Sequence, residues 1–285
     1  MNDRPVIIVG APRSGTNMLR DVLAALPGFA TWPCDEINFI WRHGNLRYRS
    51  DEFPATLARP DVQSYIRRQF DWLARRYDAR VVLEKTCANA LRVPFVDAVV
   101  PEARYVFIRR DGIDAVGSAM QRWTAPLNLR YTARKARFVP PADLPWYACR
   151  HAGHRLYRLF SRERRLSSWG PRLDDMDELL ARYPLDEVCA LQWQRCVESA
   201  RGALETVAAD RWIEVAYEEF VRQPEAELDR LLDWVGIDVP SDARAEAVSH
   251  VRSDCIGKGR SVLSPDSIRR VEARVHDTLA RYGYA

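Results

Sequence analysis

No stretch of this chain approaches the about 20 consecutive apolar residues that a membrane-crossing helix requires, so no segment reads as a membrane span. An apolar strand opening near Pro5 leaves no room for a signal peptide ahead of it, and the expected location is cytoplasmic. The six cysteines (Cys34, Cys87, Cys149, Cys189, Cys196 and Cys255) lack CxxC and Cys/His metal spacing. That argues against a zinc site and a disulfide framework, and each cysteine is expected to be a single buried thiol. Internal repeats and low-complexity tracts are also missing. Acidic residues are scarce in one place: between Gln121 and Arg172, only Asp143 and Glu163 stand against twelve arginines and lysines. With a net charge of +4 overall, the remainder of the chain is acidic. So polarised a segment suits an anionic ligand.

With 285 residues, 47% of them apolar, the chain can bury a substantial core. Short apolar runs at 6–9, 81–83, 105–108 and 212–215 read as strands, with helices following to about Ala25 and from about Gly112. This alternation predicts a parallel sheet covered on both faces. Ahead of the second strand, Val62, Tyr65, Ile66, Gln69, Phe70, Leu73 and Tyr77 make an apolar stripe at helical spacing, which is core packing. Further helices are expected at 186–207, at 224–235 and at 265–281, the last with Ser264 as N-cap and a stop at Gly283. The expected fold is a single α/β domain over 1–285, a P-loop-like three-layer α/β/α arrangement with a central parallel sheet. A basic, aromatic-rich helical and loop insertion at about 121–185 would serve as a lid or acceptor-binding region over the carboxyl ends of the strands.

The most informative segment is Val6-Ile7-Ile8-Val9-Gly10-Ala11-Pro12-Arg13-Ser14-Gly15-Thr16-Asn17. Aligned to GxxxxGK[ST], Gly10 and Gly15 fall in place, but Thr16 stands where a lysine would reach the β/γ-phosphates, and a base comes earlier as Arg13. Amides at a helix N-terminus still favour an anion. The usual grip on a triphosphate is gone. This G-x-P-R-S-G-T turn closely resembles the 5′-phosphosulfate loop of sulfotransferases, which use 3′-phosphoadenosine 5′-phosphosulfate (PAPS).

Five further segments resemble that family, in its order. Arg110 and Ser118 match the 3′-phosphate motif R-D-P-x-x-x-x-x-S, with Gly112 in place of the proline. An arginine closing a strand and a hydroxyl about two helical turns on can converge on one phosphate. Arg109 beside them is an extra base with no assigned role. Glu84-Lys85-Thr86 resembles the E-K-[ST] segment of heparan-type carbohydrate sulfotransferases, in which the lysine touches the transferring group. Cys87 occupies the place of the histidine base in the cytosolic branch, so the base must come from elsewhere. Glu36, in a segment similar to K-E-x-x-F-F of the carbohydrate branch, is the candidate in preference to the adjacent Asp35. Cys255-Ile256-Gly257-Lys258-Gly259-Arg260 resembles the loop C-L-G-x-S-K-G-R that closes over PAPS, two residues shorter here. Val215 to Phe220 resembles V-x-Y-E-D-L, with Tyr217 and Glu218 as scaffold.

The resemblance implies PAPS as cofactor, its product PAP, and no metal. It implies Glu36, Lys85 and Arg13 as catalytic residues. Cofactor binding falls to Arg13, Ser14, Gly15, Thr16, Asn17, Arg110, Ser118, Lys258, Gly259 and Arg260. The implied partner is a hydroxyl-bearing small molecule or glycan; a carbohydrate or glycoconjugate is the expectation, an acidic one suits the basic aromatic stretch, and tyrosine peptides, lipids and small secondary metabolites stay open. Nucleic acid is not expected, and peripheral contact with an acidic membrane surface is compatible with the basic stretch. Two other readings remain open. A P-loop nucleoside-triphosphate enzyme lacks its lysine here and a Walker-B aspartate after an apolar strand. A polyanion-binding module on a degenerate nucleotide fold would use the basic aromatic stretch alone.

Overall fold

Val6, Ile7, Ile8 and Val9 are apolar without alternation, so neither face of the strand they form can be left to water. In the computed structural model, which describes residues 5–124, 137–149 and 169–285, Val6–Val9 is β1, buried on both faces at the centre of a five-stranded sheet. The others are β2 (Phe29–Thr31), β3 (Val81–Lys85), β4 (Arg104–Arg109) and β5 (Trp212–Ala216), in the order β2-β3-β1-β4-β5. All pairings are parallel, with Ile8 opposite Lys85, Val9 opposite Phe107 and Arg109 opposite Ala216. Every strand therefore delivers its following segment to the same edge.

Helices α1 (Thr16–Ala24), α2 (Asn38–Trp41), α3 (Pro60–Tyr77), α4 (Val93–Val99), α5 (Gly112–Thr124) and α6 (Met176–Arg182) come first. They are followed by α7 (Leu185–Leu204), α8 (Tyr217–Arg222), α9 (Pro224–Val235), α10 (Ser241–Val248), α11 (Lys258–Val262) and α12 (Pro265–Arg281). Side chains of α2 to α5, α7 and α12 cover one face of the sheet around Ile7, Val9, Tyr105 and Phe107. Those of α1 and α8 to α10 cover the other, around Val6, Ile8, Val106 and Ile108. This is the expected three-layer α/β/α arrangement. Each fully buried Val, Ile or Phe in these layers contributes about 1.5–3 kcal/mol of transfer free energy.

Helix α3 buries Val62, Ile66, Phe70 and Leu73, as the stripe predicts, while Tyr77 is exposed at its end. Ser264 Oγ accepts from the Ser267 amide at 3.1 Å, capping α12, which stops two residues before Gly283. Strand β3 runs on through Glu84 and Lys85, beyond its apolar core, because both charged side chains are buried and find protein partners rather than water. The three-residue edge strand β2 is too short for any periodicity to reveal. It is aligned by Gly28, whose carbonyl accepts from the amides of Arg80 (2.7 Å) and Val81 (3.0 Å).

All six cysteines are free. Cys87, Cys189 and Cys196 are buried as expected, whereas Cys34 and Cys255 are half-buried and Cys149 is exposed. Residues 125–136 and 150–168, with nine of the twelve bases of the insertion, lie outside the described residues, and so does nearly half of the expected lid. Among its described side chains, Trp123 is core, Phe138, Tyr147 and Trp169 pack against core, and Trp146 is exposed. Asp143 is buried and pairs with His43, Oδ2 to Nδ1, at 2.8 Å. Among the described residues, no helix is long and apolar enough to cross a membrane.

A Cβ on Gly10 would run into the carbonyl oxygen of Ile108 in β4, which is backbone and cannot rotate away. Gly10→Ala is expected to lower stability by about 1–3 kcal/mol, read as a fall in the urea midpoint.

Candidate functional site

The turn after β1 carries two left-handed residues, Arg13 (φ 68) and Gly15 (φ 88). Gly15 is the N-cap of α1 and no side chain caps that helix, so its first amides have no partner of their own. Gly15 also lies flat on the ring of Tyr217, where any Cβ would collide. Two buried polar atoms of the turn, Ser14 Oγ and Asn17 Oδ1, have no hydrogen-bond partner. The turn thus concentrates unspent donors and the positive end of a helix, an arrangement suited to an anion.

Arg110, just past β4, reaches across to this turn. Its Nη1 donates to the Arg13 carbonyl at 3.1 Å, its Nη2 to the Cys255 carbonyl at 2.5 Å, and its guanidinium stacks 4.3 Å from the Tyr217 ring centroid. The buried Nε of Arg110 has no partner. Arg13 Nε donates to Ser118 Oγ on α5 at 2.8 Å, so the residues of the two phosphate motifs meet. Burial first, and then the charges of Arg122 and Arg110, hold the Arg13 pKa below its ordinary value. Neighbouring guanidiniums that repel one another gain by sharing an anion.

The Cys255 to Arg260 segment is held from α5 through Asp114, which is almost fully buried. Its two carboxylate oxygens accept from the amides of Gly257 (2.7 Å) and Gly259 (2.6 Å). Lys258 and Arg260 turn outward into exposed pairs with Asp254 (2.8 Å) and Glu272 (2.9 Å). The structure therefore brings the backbone of this segment to the site, but not those two side chains.

At the end of β3, Lys85 Nζ lies 3.0 Å from Glu36 Oε1, with the lysine side chain 2% exposed and the glutamate 29%. Burial alone would lower the Lys85 pKa, but the Glu36 carboxylate outweighs it and leaves the ammonium raised. The Cys87 amide donates to the same Glu36 oxygen at 3.3 Å. Cys87 Sγ lies 3.7 Å from Thr16 Oγ1, which joins this cluster to the turn. Burial, with Glu36 next in weight, pushes the Cys87 thiol up to about 12, so it stays neutral at physiological pH. Arg20 on α1 donates to the Asp35 carbonyl at 3.0 Å and anchors the loop that carries Glu36.

Several participants escape sequence reasoning. Tyr217 and Glu218, read as scaffold, touch the site: Tyr217 supports Gly15 and Arg110, and Glu218 Oε1 accepts from the Asp111 amide at 3.0 Å. Arg109 acquires a place, donating to Glu214 in β5 at 2.5 Å and to Tyr284 Oη at 2.8 Å. Tyr284 Oη in turn donates to Glu218 Oε2 at 3.0 Å. Both neighbours of Arg110 are thereby held. The available signal was the placement of Tyr217 and Glu218 at a strand's carboxyl end; Tyr284, 175 positions from Arg109, offers none.

Glu84 is fully buried, and burial pushes its carboxyl up to about 7 from the ordinary 4.5, against the opposing effect of donors that include Thr86. Folding therefore takes up a proton between these values. The stability Glu84 contributes is full below about pH 4.5 and is lost as pH rises through about 7, a change on the order of 3 kcal/mol. Glu84→Gln should lack this dependence. Urea unfolding at pH 5 and pH 8 is expected to show the variant gaining on the wild type by that order at the higher pH.

The chain matches the model of the Sulfotransferase family over residues 5–160 and 122–241. No curated protein matches. Among solved structures, the sulfotransferase domain of the Synechococcus PCC 7002 olefin synthase is similar at 17% identity and a TM-score of 0.55, over 95% of this chain and 94% of that one. Sulfotransferase STF9 from Mycobacterium avium is similar at 15% and 0.54, over 99% and 77%. Mouse sulfotransferase SULT7A1, complexed with PAP, is similar at 14% and 0.51, over 97% and 85%. At such identities the likeness to solved structures is one of fold. The family match extends over most of the chain and includes the turn after β1, Glu36, Lys85 and the Arg110 to Ser118 span: the protein belongs to the sulfotransferase family.

Proposed function

We propose that this sulfotransferase uses PAPS to sulfate a hydroxyl of a carbohydrate or glycoconjugate, with Glu36 as the general base. The observation that carries the reading is the meeting, at one sheet edge, of the Arg13–Ser118–Arg110 cluster with the Lys85–Glu36 pair. The residues fit the cofactor. Ser14 Oγ and Arg110 Nε, both able to donate, are buried without partners at the same edge, beside an uncapped helix N-terminus. PAPS, when bound, supplies the sulfuryl group and a phosphate leaving group.

The chain's own residues then divide the work. The amides of residues 13–17, with Ser14, Thr16 and Asn17, hold the 5′-phosphosulfate, and Arg110 with Ser118 holds the 3′-phosphate. Gly259 brings backbone to the rim, while Lys258 and Arg260, paired outward with Asp254 and Glu272, would have to leave those partners to reach the cofactor. Lys85 and Arg13 offset negative charge on the departing oxygen, a role that buried cations perform well because little water competes with them. Glu36 takes the proton of the acceptor hydroxyl. Its partial exposure beside a buried lysine leaves it within reach of a substrate arriving from solvent. The carbohydrate acceptor is supported by the resemblance of the Glu36 and Lys85 segments to the carbohydrate branch. Aromatic residues interleaved with arginines in the 121–172 stretch also suit an acidic sugar.

Transfer of labelled sulfate from PAPS to pooled glycans, peptides and small alcohols tests the reading directly. Glu36→Gln and Lys85→Ala should each lower kcat at least about a hundredfold while PAP binding stays within about threefold. Arg110→Ala should raise KM for PAPS at least about tenfold. Thermal stabilisation by ATP with magnesium, with none by PAP, would overturn the cofactor assignment and favour a nucleoside-triphosphate enzyme.

A further inference from the structure

Glu84 is fully buried at the end of β3, and the chemistry proposed above makes no use of it. A carboxyl in such a place is costly, and an apolar side chain would fill the space without that cost. Both of its oxygens are nevertheless occupied: Thr86 Oγ1 donates to Oε1 at 2.6 Å, and Asn89 Nδ2 donates to Oε2 at 2.7 Å.

Each donor passes the contact on. Thr86 Oγ1 accepts from the amide of Ile37 at 3.2 Å. Asn89 Oδ1 accepts from Arg92 Nε at 2.8 Å, and Arg92 Nη2 donates to Asn38 Oδ1 at 2.6 Å. The two arms thus end on residues 37 and 38, which directly follow Glu36. Arg92 is itself fully buried and is steadied by Asp51 at 3.5 Å, which also accepts from Asn38 Nδ2 at 3.2 Å. Connected hydrogen bonds of this kind hold their members more tightly than a single hydrogen bond would, although Arg92 Nη1 itself is buried with only the ion pair to Asp51.

We propose that Glu84 is a positioning residue for Glu36, acting through Thr86 on the Ile37 amide and through Asn89 and Arg92 on Asn38. By fixing the two residues after Glu36, it holds the carboxylate where it meets Lys85 Nζ and the Cys87 amide, at the edge where the acceptor arrives. The adjacent strand positions divide the labour. Lys85 meets the base directly, while Glu84, pointing to the opposite face of the sheet, fixes the backbone beneath it. This inference rests on Glu36 being the base.

The test pairs Thr86→Val, which keeps the shape and removes the hydroxyl, with Thr86→Ser, which keeps the hydroxyl. Thr86→Val should lower kcat at least about tenfold with KM for PAPS and Kd for PAP within about twofold, and Thr86→Ser should retain at least about a third of the wild-type kcat. Wild-type kcat in Thr86→Val would overturn the proposal, as would equal losses in kcat and PAP binding in both variants, the mark of a general packing role. Glu36→Gln, assayed alongside, separates the two levels: if it is inactive while Thr86→Val is fully active, the relay fails and the base stands, whereas full activity in Glu36→Gln removes both. Should Thr86→Val not fold, Asn38→Ala severs the other arm from a half-buried position. The same kcat-only loss is expected there, and wild-type kcat overturns the proposal.

Discussion

Parallel pairing of β1 with β3 on one side and β4 on the other is the constraint from which the rest follows. Four buried aliphatic residues in β1 leave it no place but the middle of the sheet. Parallel direction then sends the Gly10–Asn17 turn, the Lys85–Cys87 segment and the Arg110 turn to a single edge. Residues as far apart in the chain as Arg13 and Ser118 close to 2.8 Å as a result. A shift of one residue in the β1–β3 pairing would exchange the faces of β3, sending Lys85 where Glu84 lies and separating it from Glu36.

Concentrating charge at that edge creates a second problem, which the fold solves by giving nearly every buried ion a partner. Lys85 has Glu36, Arg110 has Asp114 and two carbonyls, and Arg92 and Arg42 share Asp51. Asp51 illustrates the balance: burial would raise its carboxyl, yet Arg92 and Arg42 hold it below the ordinary value. Among the buried atoms without hydrogen-bond partners, Ser14 Oγ and Arg110 Nε lie where the phosphate motifs converge, and both can donate to an anion.

The end of the chain contributes to this edge as well. Tyr284, just past α12, links Arg109 to Glu218, and Glu218 receives the Asp111 amide, so the turn bearing Arg110 is braced from both sides. Burial raises the Tyr284 phenol well above its ordinary value, so it remains a donor across the physiological range. The brace is local in space and very distant in sequence.

Much of this was legible in the residues. Apolar runs located four of the five strands and helical spacing located α3, α9 and α12, because periodicity and capping are local properties. The edge strand β2 and the charged ends of β3 were not, since three residues carry no period and a buried Glu or Lys is stable only through partners elsewhere. The site motifs announced themselves by residue type and order, down to the substitution of Cys87 at the histidine position. By itself, then, the sequence determined the layered fold, the family and the candidate residues of the site. Tertiary structure alone decided which members face one another: that Lys85 spends its charge on Glu36, that Lys258 and Arg260 turn to solvent, that Arg109 is a brace, and that the contacts of Glu84 lead to the residues after Glu36. Those outcomes depend on burial and on contacts between distant segments, and no local pattern encodes them.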